Sequence, residues 1–483
     1  MKPSLLWLRL DLRLADNPAL HAAIRHGGAV IPVFLHSPQE EKPWPPGGAS
    51  NWWLHQSLAA LEKNLRLLGS RLIFRRGPAL EQLRRLVKET GATGVYWNRR
   101  YEPAVIARDA VIQETLRGEG IKAESCNAAL LYEPWGVKNK SGRPFQVFTP
   151  FWKHCTALDD PPEPAHAPEK IPGPKKWPKS LALAEFELEP KSNWAGGLRA
   201  TWSPGESGAL ANLKTFLARK FADYPELRNR PDLEGTSRLS PHLHFGELSP
   251  RQVWHGLKSA AEKRRLPMAP WRSSQFLAEI GWREFAHHLL FHFPRTTDEP
   301  LRREFARFPW RADEKRLRAW QTGRTGFPIV DAGMRELWAT GWMHNRVRMI
   351  AASFLVKDLL QPWRDGARWF WDTLVDADLA QNSLGWQWTA GCGADAAPYF
   401  RVFNPTTQGE KFDPDGNYIR RWCPELARLS AGWIHHPQAA PPEALRAANI
   451  VPGRDYPKPM VNHTEARDAA LAAFAGIKTA GKS

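Results

Sequence analysis

With 483 residues, 42% of them hydrophobic and 24% charged, the chain is too long for one typical core and too apolar for disorder, so two domains are expected. A formal net charge of +17 favours a polyanionic partner, with nucleic acid ahead of an anionic membrane surface. No run approaches about 18 uncharged apolar residues, which excludes a membrane-spanning helix. Cys126, Cys155, Cys392 and Cys423 are widely spaced and form no CxxC pair, which argues against a disulfide framework or zinc site and for a reducing cytoplasm; no metal ligand set is expected. The opening apolar patch, Leu5 to Leu8, is broken by Arg9 and Asp11 and reads as a strand rather than a signal peptide. The 24 tryptophans suit packing, base stacking and electron hopping alike.

Taken in order, residues 5–10 and 29–35 are short apolar runs, with a helical pattern between them that starts at Asn17 and Pro18. The alternation continues as a helix near 51–69, strand 71–75, helix near 79–90, strand 94–98, helix near 105–119 and strand near 121–125. This period predicts an α/β domain over 1–130, with a parallel Rossmann-like sheet covered by helices on both faces. No GxGxxG follows its first strand, so it is not read as an NAD site. Residues 159–180 hold seven prolines and many charges, the composition of an extended linker, and 131–204 is assigned to that role. From about 205 helical periodicity takes over, as in Leu210 to Leu217 and Leu337 to Leu360, so 205–483 is expected to be a mostly α domain. Its end is one Ala-rich helix and a short polar tail.

The most informative stretch is Asp376-Ala-Asp-Leu-Ala-Gln-Asn-Ser-Leu-Gly-Trp-Gln-Trp388. At a helix start, Asp376 and Asp378 can cap amides or anchor an arginine or a ribose. Asn382 then sits one turn deeper, and Trp386 and Trp388 add aromatic surface. The alternative is an acidic cap followed by two core tryptophans. Thr236-Ser-Arg-Leu-Ser240 before Pro241 offers hydroxyls and main-chain amides for a pyrophosphate, or simply an N-cap.

Around this stretch stand Gly235 to Ser240, Gly326-Phe-Pro-Ile-Val-Asp331, Gly341-Trp-Met-His-Asn-Arg-Val-Arg348 and Asp395 to Gly409. Together, and in this order, they resemble the FAD-binding domain of the DNA photolyase and cryptochrome family. Arg9-Leu-Asp-Leu-Arg-Leu-Ala-Asp-Asn17 resembles the same family's opening motif, and Tyr101-Glu-Pro with Arg108 and Asp109 resembles a further stretch of its N-terminal domain. The resemblance covers nearly the whole chain and is densest from 224 to 413.

The resemblance implies FAD, with Tyr224, Thr236, Ser237, Arg238, Leu239 and Ser240 near its phosphates. Asp376 and Asp378 would hold its flavin side, Arg348 would pair with Asp376, and Asn382 would face flavin N5. Trp386, Trp363 and Trp310 match the family's electron chain to the surface; core packing is the other reading, and Trp369 with Trp371 would supply a branch. Glu279, Trp282, Asn345, Met349 and Trp388 would line the pocket for a pyrimidine dimer, the first two sharing one helical face. Arg228 and Gln408, with Trp282 and Asn345, match positions that touch the DNA. His344-Asn345 stands where related enzymes for (6-4) photoproducts carry two histidines, and His287-His288 is expected to pack or cap.

An antenna chromophore is also implied, methenyltetrahydrofolate or a deazaflavin. The Asn-Glu pair of many folate binders is replaced by Ala104 and Val105, and Trp52 with Trp53 reads as core ahead of a pterin platform. Phe276 departs from the tryptophan common in relatives. The implied activity is light-driven repair of cyclobutane pyrimidine dimers in DNA by a monomeric, cytoplasmic flavoenzyme. The rival is a cryptochrome-type blue-light photoreceptor.

Overall fold

The five expected strands pair as one parallel sheet: β1 (Ser4–Leu8), β2 (Val30–His36), β3 (Ile73–Arg76), β4 (Gly94–Asn98) and β5 (Lys122–Cys126), in the order β3-β2-β1-β4-β5. The helices α1 (Pro18–Arg25), α2 (Gly48–Leu67), α3 (Ala79–Thr90) and α4 (Pro103–Gly118) connect them. Parallel strands need crossover connections, and their burial on both faces explains continuous runs such as Leu5-Leu-Trp-Leu8. Asn17 caps α1, its side chain accepting from Leu20 N, and Pro18 takes the first helical position. Leu5, Ile31, Val33, Ile73 and Val95 form the sheet's core with Trp7 and Trp97. Each such side chain contributes roughly 1.5–3 kcal/mol through burial.

These coordinates are a computed structural model that describes residues 2–263, 271–396 and 400–479. By internal contacts the chain divides into two compact units, one of residues 1–221 and 237–294, the other of 222–236 and 295–483. The proline-rich segment is extended, as its composition suggests, yet it is pinned to the first unit. Val30 N donates to Pro172 O at 2.7 Å, Leu181 N donates to Phe74 O at 3.0 Å, and Ile171 is fully buried. Ser180 Oγ also accepts from Phe74 N at 2.9 Å, so the end of the segment lies on the outer edge of β3, while Pro172 meets the start of β2. Two further helices of this unit matter below, α5 (Phe148–Thr156) and α6 (Gln275–His292).

Among the described residues the second unit is helical apart from one isolated bridge, Pro452 to Tyr456. Its relevant helices are α7 (Pro328–Thr340), α8 (Asn345–Ser353), α9 (Trp363–Thr373), α10 (Leu379–Ala390) and α11 (His463–Thr479). Gly341 ends α7 at φ 68°, a left-handed turn that favours glycine. Asp331 of the Gly326–Asp331 motif is fully buried and accepts from Thr325 N, Gly326 N and the Tyr456 hydroxyl, a knot that closes the entrance to α7. Among the described residues no helix is long and apolar enough to cross a membrane.

Candidate functional site

The site is built mostly on α8 and α10 of the second unit. Asp378 caps α10, accepting from Gln381 N at 2.9 Å, so the acidic pair does begin a helix. Arg348 reaches Asp376 with Nη2 3.1 and 2.9 Å from the two carboxylate oxygens, and its Nε donates to Met343 O at 2.7 Å. One turn into α10, Asn382 donates its side-chain amide to Ala367 O of α9 at 3.0 Å. That bond uses one of the two amide N–H donors and fixes the orientation of the amide plane. A paired carboxylate and an oriented neutral amide are donors and acceptors that fit a flavin nucleotide.

The two tryptophans of this stretch part company. Trp386 is 2% exposed and stands edge-on to Phe370 of α9 at 5.0 Å and to Trp320 at 6.1 Å. Gly366 makes room for it, since a Cβ there would lie 2.1 Å from Trp386 Cη2. Two residues on, Trp388 points elsewhere, as the helical period requires, and is half-buried. It lines a cavity of about 50 Å³ with Ser353, Lys357, Phe400, Arg401 and Phe474. Trp363 opens α9 and is buried, whereas Trp310 is partly exposed with Phe308 at 4.4 Å, so exposure increases along the proposed chain. Trp369 lies parallel to the exposed Trp338, with ring centroids 5.9 Å apart.

Asn345 is exposed at the first position of α8, behind the capping His344, whose Nδ1 accepts from Arg346 N at 3.2 Å. Met349, one turn on, lies 3.8 Å through Sδ from Arg346 Nη1. Tyr224 is buried, with the Arg228 guanidinium 5.9 Å from its ring centre. Gln408 sits half-buried on the helix Pro405–Phe412. Within the Asp395–Gly409 motif, Ala397, Pro398 and Tyr399 lie outside the described residues. Thr236 also belongs to the second unit.

Ser237, Arg238, Leu239 and Ser240 belong to the first unit. Ser237 Oγ accepts from Leu239 N at 3.4 Å, Arg238 adopts φ 52° and lies over Trp202, and Ser240 is exposed at the start of the helix Ser240–His244. Behind this turn lies a buried knot that sequence reasoning missed. Glu247, fully enclosed, accepts from His242 Nδ1 at 2.5 Å, Gly205 N at 2.7 Å and Trp53 Nε1 at 3.0 Å. Trp52 and Trp53 are both core residues, with no ring face open to a pterin. On α6, Glu279 and Trp282 share a face as expected, and Gln275 Nε2 donates to Glu279 Oε1 at 3.1 Å. Phe276 packs on Phe216 at 4.2 Å.

Several singled-out residues are structural. Arg9 pairs with Asp109 at 2.5 Å, and Asn98 links Asp11 to Asn17, so the opening motif ties the end of β1 to β4 and α1. His288 accepts from Phe145 N at 3.0 Å, and burial pushes it down to about 3, a neutral packing histidine. Lys357 was also missed. Its buried ammonium donates to Arg401 O and faces Phe400 at 4.3 Å, and burial lowers it to about 7.

Residues 276–476 match the FAD binding domain of DNA photolyase, and residues 4–169 match the DNA photolyase family itself. The chain belongs to the DNA photolyase family. A deoxyribodipyrimidine photo-lyase of Agrobacterium fabrum is 50% identical over 99% of this photolyase-family chain and 98% of its own length. Cryptochrome-1 of Arabidopsis thaliana is 45% identical over 96% of the chain and 69% of its own length. Among solved structures, a bacterial class III photolyase from Agrobacterium tumefaciens superposes with a TM-score of 0.95 at 49% identity, covering 99% of this chain and 98% of that one.

Proposed function

We propose that this protein is a light-driven deoxyribodipyrimidine photo-lyase that uses FAD to split cyclobutane pyrimidine dimers in DNA. The observation that carries the reading is the match at 50% identity, over 99% of the chain, to a protein named for that activity. When bound, reduced FAD supplies the excited electron that opens the dimer. The protein's own residues position, shield and charge-balance the partners.

In this reading Tyr224, Thr236, Ser237, Arg238, Leu239 and Ser240 hold the cofactor phosphates. Arg348, Asp376, Asp378 and Asn382 hold the flavin side, supported by the Arg348–Asp376 ion pair and the fixed amide of Asn382. Trp386, Trp363 and Trp310 refill the flavin with electrons. Trp282 with Glu279 in the first unit, and Trp388, Asn345 and Met349 in the second, are the side chains that would meet the extruded lesion. Glu279 hydrogen-bonds the dimer as it gains charge. Arg228 and Gln408 contact the strand, and the +17 net charge makes binding salt-dependent. The enzyme works as a cytoplasmic monomer, with a folate or deazaflavin antenna that the absorption spectrum of the purified protein distinguishes.

Asn345 restricts the substrate. A (6-4) photoproduct needs a proton to return a hydroxyl between bases, and an asparagine amide has none to give near neutral pH. The test is blue light on duplexes carrying either lesion, with dark controls. Repair of the cyclobutane dimer alone is expected, and Glu279→Ala cuts its yield more than it cuts affinity for undamaged DNA. Repair of the (6-4) lesion overturns the substrate assignment. Repair of neither favours the photoreceptor reading, to which the 45% identity to a cryptochrome would then attach.

A further inference from the structure

Trp282, half-buried on α6, is not a bare ring: one of its faces is already taken. Phe148, the first residue of α5, lies on it with ring centroids 3.8 Å apart and planes 9° from parallel. One turn further along α5, Trp152 continues the array, 12° from parallel to Phe148 at 6.5 Å. Phe285 of α6 closes the side, edge-on to Phe148 at 6.0 Å and to Trp282 at 5.9 Å. The approach of the two helices depends on Gly281, where a Cβ would stand 2.5 Å from Trp152 Cδ2. All of these residues belong to the first unit.

Rings this close and this nearly parallel are in face contact, and that contact depends on the close approach of α5 to α6 at Gly281. The Phe148–Trp282 stack is therefore imposed by the packing of α5 on α6, and what it does is hold the indole. A ring with one face covered and one side blocked has little χ freedom, and only its other face remains for a flat guest. Ordering such a side chain in advance removes a cost that binding would otherwise carry.

We propose that Phe148 is a positioning residue for lesion recognition: it backs Trp282 so that an extruded pyrimidine dimer meets a pre-ordered indole face. The inference rests on the reading of Trp282 as a wall of the lesion pocket. Undamaged duplex, whose bases stay stacked, gains nothing from the ordered ring, so Phe148 acts on discrimination and not on general DNA affinity.

The test measures dark binding of the full-length flavoprotein to duplexes with and without a cyclobutane dimer, with flavin content as the check on folding. Phe148→Ala and Phe148→Leu are expected to lower the damaged-to-undamaged affinity ratio about threefold to tenfold, and Phe148→Tyr to restore it. In the background of Trp282→Ala, Phe148→Ala should cause no further loss, because the ring it backs is gone. Should Phe148→Ala lose its flavin, the Leu variant carries the comparison. An unchanged ratio in Phe148→Leu overturns the proposal, and so does a loss that adds in full to that of Trp282→Ala. If Trp282→Ala itself leaves the ratio untouched, the assignment of Trp282 to the lesion pocket has failed and the inference falls with it. If only the Phe148 variants are silent, the inference alone falls.

Discussion

Asn382 donates its side-chain amide to the main-chain carbonyl of Ala367, 3.0 Å away, and so α9 fixes the orientation of the amide beside the proposed flavin site. An aspartate in that place keeps the contact only when protonated, because a carboxylate facing a carbonyl oxygen is repelled. Asn382→Asp should therefore make the rate of flavin photoreduction depend on pH, with an apparent pKa above the usual carboxylate range. The parent protein should show no such titration. Bleaching of the yellow flavin band under blue light, followed across pH, checks this.

The buried ring of Trp386 lies against Gly366, and the partly exposed Trp310 is the outward end of the proposed chain. Trp310→Phe should reduce photoreduction of oxidised flavin to about a tenth or less, while repair by chemically reduced enzyme stays close to the parent's. Gly366→Ala should cost about 1–3 kcal/mol through overpacking, because the ring it meets is fully packed. It should also slow photoreduction by displacing Trp386. Thermal denaturation and flash kinetics read the two effects separately.

Asp376 keeps only 3% of its side chain exposed, against 23% for Arg348. Arg348→Gln leaves that carboxylate without its cation. The loss should be about 2–3 kcal/mol of stability, at the lower end for a broken buried pair because the arginine is partly solvated. Flavin content should fall with it. Denaturant titration and the ratio of flavin to protein absorbance measure both.

Glu284 accepts from Leu131 N and Tyr132 N through one oxygen, and burial lifts its carboxyl from 4.5 to about 7, with Arg283 opposing the shift. The native state thus holds the proton more tightly than the unfolded chain. The stability this contributes is complete below the unfolded value and is lost as pH rises through the folded one. Glu284→Gln preserves an acceptor for both amides and removes the titration. Relative to that variant, the parent should lose on the order of 2 to 3 kcal/mol between about pH 5 and pH 8, measured by denaturant midpoints.

The parallel α/β unit was legible in the chain because its signal is local: strand and helix periods alternate at close spacing, and caps such as Asn17 sit beside the elements they start. The acidic start of α10 was legible for the same reason, as was the shared face of Glu279 and Trp282. The close relation of Arg348 to Asp376 was implied by motif and is met in the fold. Trp386 and Trp388 were given separate roles by motif, and the helix points them apart, one onto α9 and the other towards Lys357 and Phe400.

Contacts between segments with no common period emerge only when the chain is folded. Trp53 meets Glu247 across 194 residues, and nothing near either one marks a buried carboxylate with three donors. The end of the proline-rich stretch became the cover of a strand edge because Phe74 of β3 had an amide and a carbonyl to satisfy, a demand invisible from its own composition. Phe148 reached Trp282 because a glycine on α6 let α5 approach. Elements, cofactor motifs and family are signals written along the chain, whereas the packing of distant helices sets which aromatic faces are covered, since side-chain contact depends on where elements dock and not on the order in which they are read.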